Sequence, residues 1–287
     1  MQQRNLGGRR VSALGLGGMP MSIEGRPDRD QSIATIHAAL DAGITLIDTA
    51  DSYCLGPDEV GHNESLIADA LAAYSDAGDV LVATKGGHLR PGDGTWTVNG
   101  DPGYLKAAAK ASAARLGVEA ISLYQFHRPD PKVPYAESIG ALADLLTEGV
   151  IQMAGISNAS VAQIDEARDI LGASLVSVQN QFSPLHTSSL AELDHCAKLG
   201  LAFLPWSPLG GIARAGRLGS THSVMSEIAL AREVSAFQVV LAWELSLAPV
   251  VIPIPGASKP ASIRDSAAAS ELVLDAAELV RIENSLA

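Results

Sequence analysis

Two rhythms of apolar and polar residues alternate along the chain. Short runs of neighbouring apolar residues, ITLID at 44–48, VLVATK at 80–85, ISLYQFH at 121–127, IQMAGISN at 151–158, LVSVQNQ at 175–181 and LAFLPWSP at 201–208, have the length and density of strands covered on both faces. Between them lie longer stretches with helical spacing, at Asp30–Ala42, Glu64–Tyr74, Tyr104–Leu116, Tyr135–Glu148, Ala159–Leu171, Ser188–Leu199 and Ser235–Leu247. In the first of these Ile33, Ile36 and Leu40 share a face, which His37 borders as a structural residue, and Gly43 stops the helix. PVVIPIP at 249–255 supplies a last strand. Regular strand–helix alternation calls for a parallel sheet, and about eight such units call for a closed α/β barrel, a (β/α)₈ or TIM barrel, in one domain over residues 1–287.

Two stretches stand outside this rhythm. RNLGGRRVSAL at 4–14 places short extended pieces on either side of Gly7-Gly8, the pattern of a β-hairpin. Residues 86–101, with their glycines, Pro91, Asp93 and Asn99, form a long loop, and long loops in compact domains are often functional. Trp96 there is either a wall of a substrate pocket or packing for its own loop, and 210–223 is a second glycine-rich loop. LGLGGMP at 14–20 lacks the third glycine and the following helix of a dinucleotide loop, so it is a strand end.

Strand after strand starts apolar and ends polar, on Asp48, Lys85, His127, Asn158, Gln179 and Ser207. In such a barrel these ends converge on one mouth, where active sites lie. Asp48, Tyr53, Lys85 and His127 make a coherent proton-donating set. A phenol has a pKa near ~10 and is a poor acid at neutral pH, but a neighbouring ammonium stabilises phenolate. Lys85 supplies that charge and lowers the Tyr53 pKa, Asp48 keeps Lys85 protonated, and the His127 imidazole orients a carbonyl oxygen. None of the four can supply a hydride, so a nicotinamide is required for reduction.

The motifs DTADSY, VATKGG, LYQFHRPDP, GISN at 155–158, QNQFSPL at 179–185, PWSPLGG at 205–211 and IPGASKP at 254–260, in this order, resemble those of the aldo-keto reductase superfamily over nearly the whole chain. The resemblance implies a barrel whose closed end is plugged by the N-terminal hairpin, and an enzyme reducing aldehydes or ketones with NADPH, with NADH less favoured. It implies that Ser157, Asn158 and Gln179 hold the carboxamide and Trp206 stacks on the nicotinamide ring. Ser207, Pro208 and Leu209 with Gly210 and Gly211 would lie by the pyrophosphate. Gly256, Ser258 and Lys259 lead into a helix whose N-terminus suits a phosphate. Gly18, Met19, Ser262, Asp265 and Ser266 complete the cofactor set, although many relatives carry arginine and asparagine where Ser262 and Ser266 stand; Arg264 either compensates or points to solvent. The short C-terminus leaves substrate choice to the loops around Trp96 and 210–223.

Composition narrows the alternatives. A net charge of −12 gives no electrostatic attraction for nucleic acid or anionic membrane. Two cysteines are too few for a disulfide framework, and neither a signal-peptide core nor a membrane-length apolar run is present, so a cytoplasmic protein, monomeric or weakly associating and acting on a small-molecule carbonyl, is expected. A metal-dependent barrel hydrolase using His62, His88, His127, Asp48 and Asp51 fits poorly: no His-x-His stands on an early strand, and Lys85 brings positive charge to the site. A nicotinamide-binding sensor or regulatory subunit with slow turnover is the second reading, since fold does not imply function.

Overall fold

The structure, a computed structural model, describes residues 1–211 and 223–286. The loop at 210–223 assigned to substrate choice therefore lies largely outside the described residues. Strands β1 (Gln3–Leu6) and β2 (Arg9–Ser12) pair antiparallel, as the Gly7-Gly8 turn requires. Both glycines are left-handed, and a Cβ on Gly7 would lie 2.6 Å from Met153 Sδ. Met153 and Val176, which crowd this turn, stand at the starts of two barrel strands, so the hairpin covers the barrel's N-terminal end. Its Leu6 and Val11 join the interior cluster of Leu46, Leu81, Leu123, Ala202 and Ile252.

Seven parallel strands follow: β3 (Leu16–Gly17), β4 (Leu46–Asp48), β5 (Leu81–Gly86), β8 (Leu123–Phe126), β9 (Ala154–Ser157), β10 (Leu175–Gln179) and β11 (Ala202–Phe203), ordered β11-β10-β9-β8-β5-β4-β3. The expected eighth strand, PVVIPIP, is not a regular ladder. Residues 250–256 touch both sheet edges through single bridges, Phe203 to Val251 and Gly17 to Gly256. Pro253 and Pro255 have no N–H to donate, so this stretch accepts Gly15 N–H at Pro253 O (2.9 Å) and Gly17 N–H at Pro255 O (3.0 Å) without forming a ladder. Gly17 lies so close to this seam that a Cβ would come 2.9 Å from Ile254 O.

The α-helices among the described residues are α1 (Arg29–Asp41), α2 (His62–Ala72), α3 (Pro102–Leu116), α4 (Tyr135–Thr147), α5 (Val161–Leu171), α6 (Leu190–Leu199), α7 (Ser223–Ala231), α8 (Ala236–Leu247), α9 (Pro260–Ala268) and α10 (Ala276–Leu286). Several starts differ from the apolar spacing because caps decide them. Asp28, Asp101, Ser160 and Ser235 each accept the amide three residues on, and Ser160 with Gln163 forms a capping box. The loop at 86–101 carries a small hairpin of its own, β6 (His88–Leu89) with β7 (Thr97–Val98), which periodicity did not reveal.

Alternation along β8 shows how the layers work. Leu123 faces the barrel interior with the hairpin residues, while Tyr124 and Phe126 pack in the cluster that includes Leu105 of α3 and Ile139 and Leu142 of α4. Gln125 shares the interior side with Leu123, and His127, continuing the ladder through His127 N to Gly86 O at 2.9 Å, emerges at the mouth.

Candidate active site

The strand ends enclose a cavity of about 370 Å³. Of the residues expected at the site, Met19, Asp48, Tyr53, His127, Ser157, Asn158, Gln179, Trp206, Ser207, Pro208, Leu209, Gly211 and Gly256 line it. Lys85 lies directly behind, fully buried. Its ammonium donates to Asp48 Oδ1 at 2.6 Å, Thr49 O at 2.8 Å and Tyr53 Oη at 3.0 Å, so all three of its N–H bonds are used. Asp48 is held in turn by Gln179 Nε2 at 2.7 Å and Gln125 Nε2 at 3.3 Å, both on Oδ2. Gln125 was not anticipated from the sequence. Gly155 on the adjoining β9 leaves room for its side chain, since a Cβ there would fall 2.8 Å from Gln125 Cγ. The inward phase of β8 was the available signal.

Burial works to strip the Lys85 proton, but the Asp48 carboxylate and Tyr53 oxygen outweigh it, and the amine is held above its ordinary value. At Tyr53 the Lys85 charge acts in the expected direction but does not decide the outcome. Burial pushes the phenol above its usual range; the Lys85 charge pulls it down without overcoming burial and the repulsion from Asp48. The site thus stores the proton on Tyr53 Oη with an ammonium in contact. His127 sits edge-on to Tyr53, with ring centroids 5.8 Å apart. Burial, then the Lys85 charge with those of its other basic neighbours, pushes the imidazole far down, so it is neutral, and its buried Nδ1 has no partner among the described residues. His88 is likewise lowered, by burial and Arg128, to about 4.

Trp96 combines its two expected roles: it lines the cavity and stacks on His88 of its own loop at 4.7 Å, with the Arg90 guanidinium 4.3 Å from its ring. His88 meets His127 edge-on at 4.8 Å, so a column of rings runs from the loop to Tyr53.

On the opposite wall, Asn158 Nδ2 donates to Ser157 Oγ at 2.9 Å and His127 O at 3.1 Å, while Oδ1 accepts Trp206 Nε1 at 3.3 Å. The non-glycine residues with left-handed backbone among those described are Asn158 (φ 56°), Ser207 (φ 53°) and Glu233 (φ 55°). Two of these three line the cavity, where strained backbone commonly marks a site. Gly210 and Gly211 are also left-handed and turn the 207–211 loop past the cavity rim.

The remaining expected cofactor residues stand apart. Gly18 is outside the lining; its N–H donates to Asp48 O at 2.8 Å, and Asn63 fills the place a side chain would need. Ser258 uses its carbonyl on Gln31 Nε2 at 2.7 Å, Lys259 is the exposed N-cap of α9, Ser262 is exposed on its first turn and Ser266 is buried. Asp265 is engaged structurally, accepting Ser235 Oγ and Gln238 Nε2 at 2.6 Å each, which fixes the start of α8. Among the described residues no group of three His, Cys, Asp or Glu is placed to hold a metal, and no helix is long and apolar enough to cross a membrane.

The sequence model of the Aldo/keto reductase family matches residues 13–287. Similar proteins include pyridoxine 4-dehydrogenase of Escherichia coli, 33% identical over 279 residues (94% of this chain, 93% of the relative). The 6-dehydroglucose reductase of Novosphingobium aromaticivorans is 34% identical over 271 residues (90% and 86%). Among solved structures, a glycerol dehydrogenase from Gluconobacter oxydans superposes with TM-score 0.84 at 26% identity, covering 99% of this chain and 94% of that one. An aldo/keto reductase from Klebsiella pneumoniae in complex with NADP and acetate gives 0.80 at 26% identity, covering 98% and 94%.

Proposed function

The chain belongs to the aldo/keto reductase family, and from that membership and the site's geometry we propose that it reduces an aldehyde or ketone to the alcohol with NADPH, with Tyr53 as proton donor. The observation that carries this reading is the contact of one buried ammonium, Lys85, with both Asp48 (2.6 Å) and Tyr53 Oη (3.0 Å) at the floor of a cavity. A nicotinamide fits the wall opposite: Trp206 offers a ring face, Asn158 and Ser157 offer amide and hydroxyl groups, and the glycine-bearing 207–211 loop allows close approach of a phosphate. When bound, the nicotinamide supplies the hydride to the carbonyl carbon.

The chain's own residues do the rest. His127, neutral and with Nδ1 unpartnered, fixes the carbonyl oxygen toward Tyr53 by a hydrogen bond. Tyr53 Oη gives up its proton to the developing alkoxide, and the phenolate left behind faces Lys85 Nζ. Asp48, tied by two glutamine amides, keeps Lys85 charged through this step. Lys259, the exposed N-cap residue of α9, is assigned to the 2′-phosphate that distinguishes NADPH from NADH. The same reading takes residues 1–287 as one barrel domain, monomeric or weakly associating, in the cytoplasm.

The test is nicotinamide absorbance decay with NADPH and a panel of aldehydes and ketones, run beside Tyr53→Phe. The variant should lose about 10²- to 10⁴-fold in turnover while still binding NADPH; near-normal turnover rejects Tyr53 as the acid. Tight NADPH binding with no turnover on any carbonyl favours the sensor reading instead.

A further inference from the structure

Arg128 is the feature of the cavity that the reduction does not use. It follows His127, lines the cavity wall, and is half-buried. Arg26, Arg29, Arg90, Arg115, Arg232 and Arg281 each meet a carboxylate. Arg128 meets none among the described residues: its one hydrogen bond there is from Nη2 to Asn158 Oδ1 at 3.3 Å, and its Nε is buried without a partner. Glu192, which shares a neighbouring recess with Arg128, makes no ion pair with it. The chain as a whole carries −12, so a cation left unpaired in its main cavity is not explained by a general excess of base.

The charges around it reinforce the point. Asp48, the acid in the lining, is spent on Lys85, Gln179 and Gln125. His88 and His127 are neutral. The Asp48–Lys85 pair cancels, which leaves Arg128 as a net positive charge on the wall of the same cavity. A half-buried guanidinium without a counter-ion is costly, and burial already pulls its pKa down. A planar fork with free N–H groups suits a carboxylate, which it can grip through two parallel bonds. A phosphate dianion would call for a second free cation, and Arg90 is committed to Glu24.

We infer that Arg128 selects carbonyl substrates carrying a carboxylate, binding that group against the cavity wall while the carbonyl lies between His127 and Tyr53. This inference rests on the reductase reading and narrows its substrate class. Because a charge-assisted hydrogen bond is worth roughly 10- to 100-fold in binding, the preference for an acid over its neutral ester should be at least about tenfold and should appear mainly in KM.

The experiment compares 3- and 4-carboxybenzaldehyde with their methyl esters, in the parent, Arg128→Gln and Arg128→Lys, with NADPH affinity titrated for each. The acid-to-ester ratio of kcat/KM should favour the better acid in the parent, collapse to near one in Arg128→Gln and be partly kept in Arg128→Lys. A parent ratio at or below one overturns the inference, as does a ratio that survives in Arg128→Gln. Equal losses on acid and ester would put the charge at the reacting centre, and a weakened NADPH affinity with an unchanged ratio would assign Arg128 to the cofactor; either result also overturns it. If no aldehyde turns over, the reductase reading fails separately. Binding of benzoate against methyl benzoate to the NADP-loaded protein then decides the inference, and absence of an Arg128-dependent preference for benzoate rejects it.

Discussion

Two buried clusters sit a few residues apart at the ends of β4 and β5, and they contain the same kinds of group. Asp48 and Tyr53 line the cavity with Lys85 directly behind them; Asp51, Glu64, Arg115 and Tyr104 make the other cluster. Lys85 and Thr84 are neighbours on β5 and therefore point to opposite faces, Lys85 into the barrel and Thr84 toward the helices, where it donates to Glu64 Oε1 at 2.5 Å. In the first cluster one cation is shared by one acid and one phenol. In the second, Arg115 goes to Glu64 at 2.6 Å, and Asp51 is left with neutral partners, the Tyr104 hydroxyl at 3.3 Å on Oδ2 and the Ser52 backbone N–H. Burial and the charge of Glu64 push Asp51 up to about 7. The lesson is that residue types do not make a proton-transfer site. The balance of charge, and access to a cavity, separate the reactive cluster from the one that only packs.

The comparison breaks most severely at Lys85. Lys85→Met leaves the Asp48 carboxylate buried without its cation, which should cost about 3–5 kcal/mol of stability and abolish turnover along with it. Urea unfolding and the NADPH assay on the same preparation check both; an active, fully stable variant would remove Lys85 from the centre of the site.

Asp51 tests the second cluster. Its folded pKa, about 7, exceeds the unfolded value, so the folded chain holds an extra proton between the two. The stability this supplies is complete below roughly pH 4 and is lost as pH rises through the folded pKa. From pH 5 to 8 the loss should be roughly 2–3 kcal/mol. Asp51→Asn should flatten that slope in unfolding midpoints measured at four pH values, and an unchanged slope would show that Asp51 is already ionised.

Glu244 on α8 sharpens the contrast as an acid without a cation among the described residues. It is fully buried, neither carboxyl oxygen has a hydrogen-bond partner among those residues, and burial drives its pKa well up. Glu244→Leu should therefore stabilise the fold, by about 1–3 kcal/mol; a lower thermal midpoint would reject Glu244 as an uncompensated acid. The smallest effect is expected outside both clusters. Lys259→Ala should weaken NADPH several-fold while changing NADH little, and equal losses would reject its assignment to the 2′-phosphate.

Much of the site was legible along the chain. Strand ends at Asp48, Lys85, His127 and Gln179 follow from apolar runs that each finish on a polar residue, and the hairpin follows from Gly7-Gly8. The seam at 250–256 was legible in part: its prolines were in view, but that they would prevent a ladder while still accepting from Gly15 and Gly17 depends on the facing strand.

The sequence by itself determined which groups are available and that strand periodicity would bring them to one mouth, because the phase of a strand is a local property of the backbone. Tertiary structure alone decided their states. Tyr53 is raised rather than lowered because burial, set by everything packed around it, outweighs a neighbouring charge. Gln125 reaches Asp48 only because Gly155 on the adjoining strand leaves room. Arg128 is unpaired, and Arg115 paired, according to which acids the fold brings within reach. Desolvation and Coulomb attraction depend on distances through space, and those no position along the chain records.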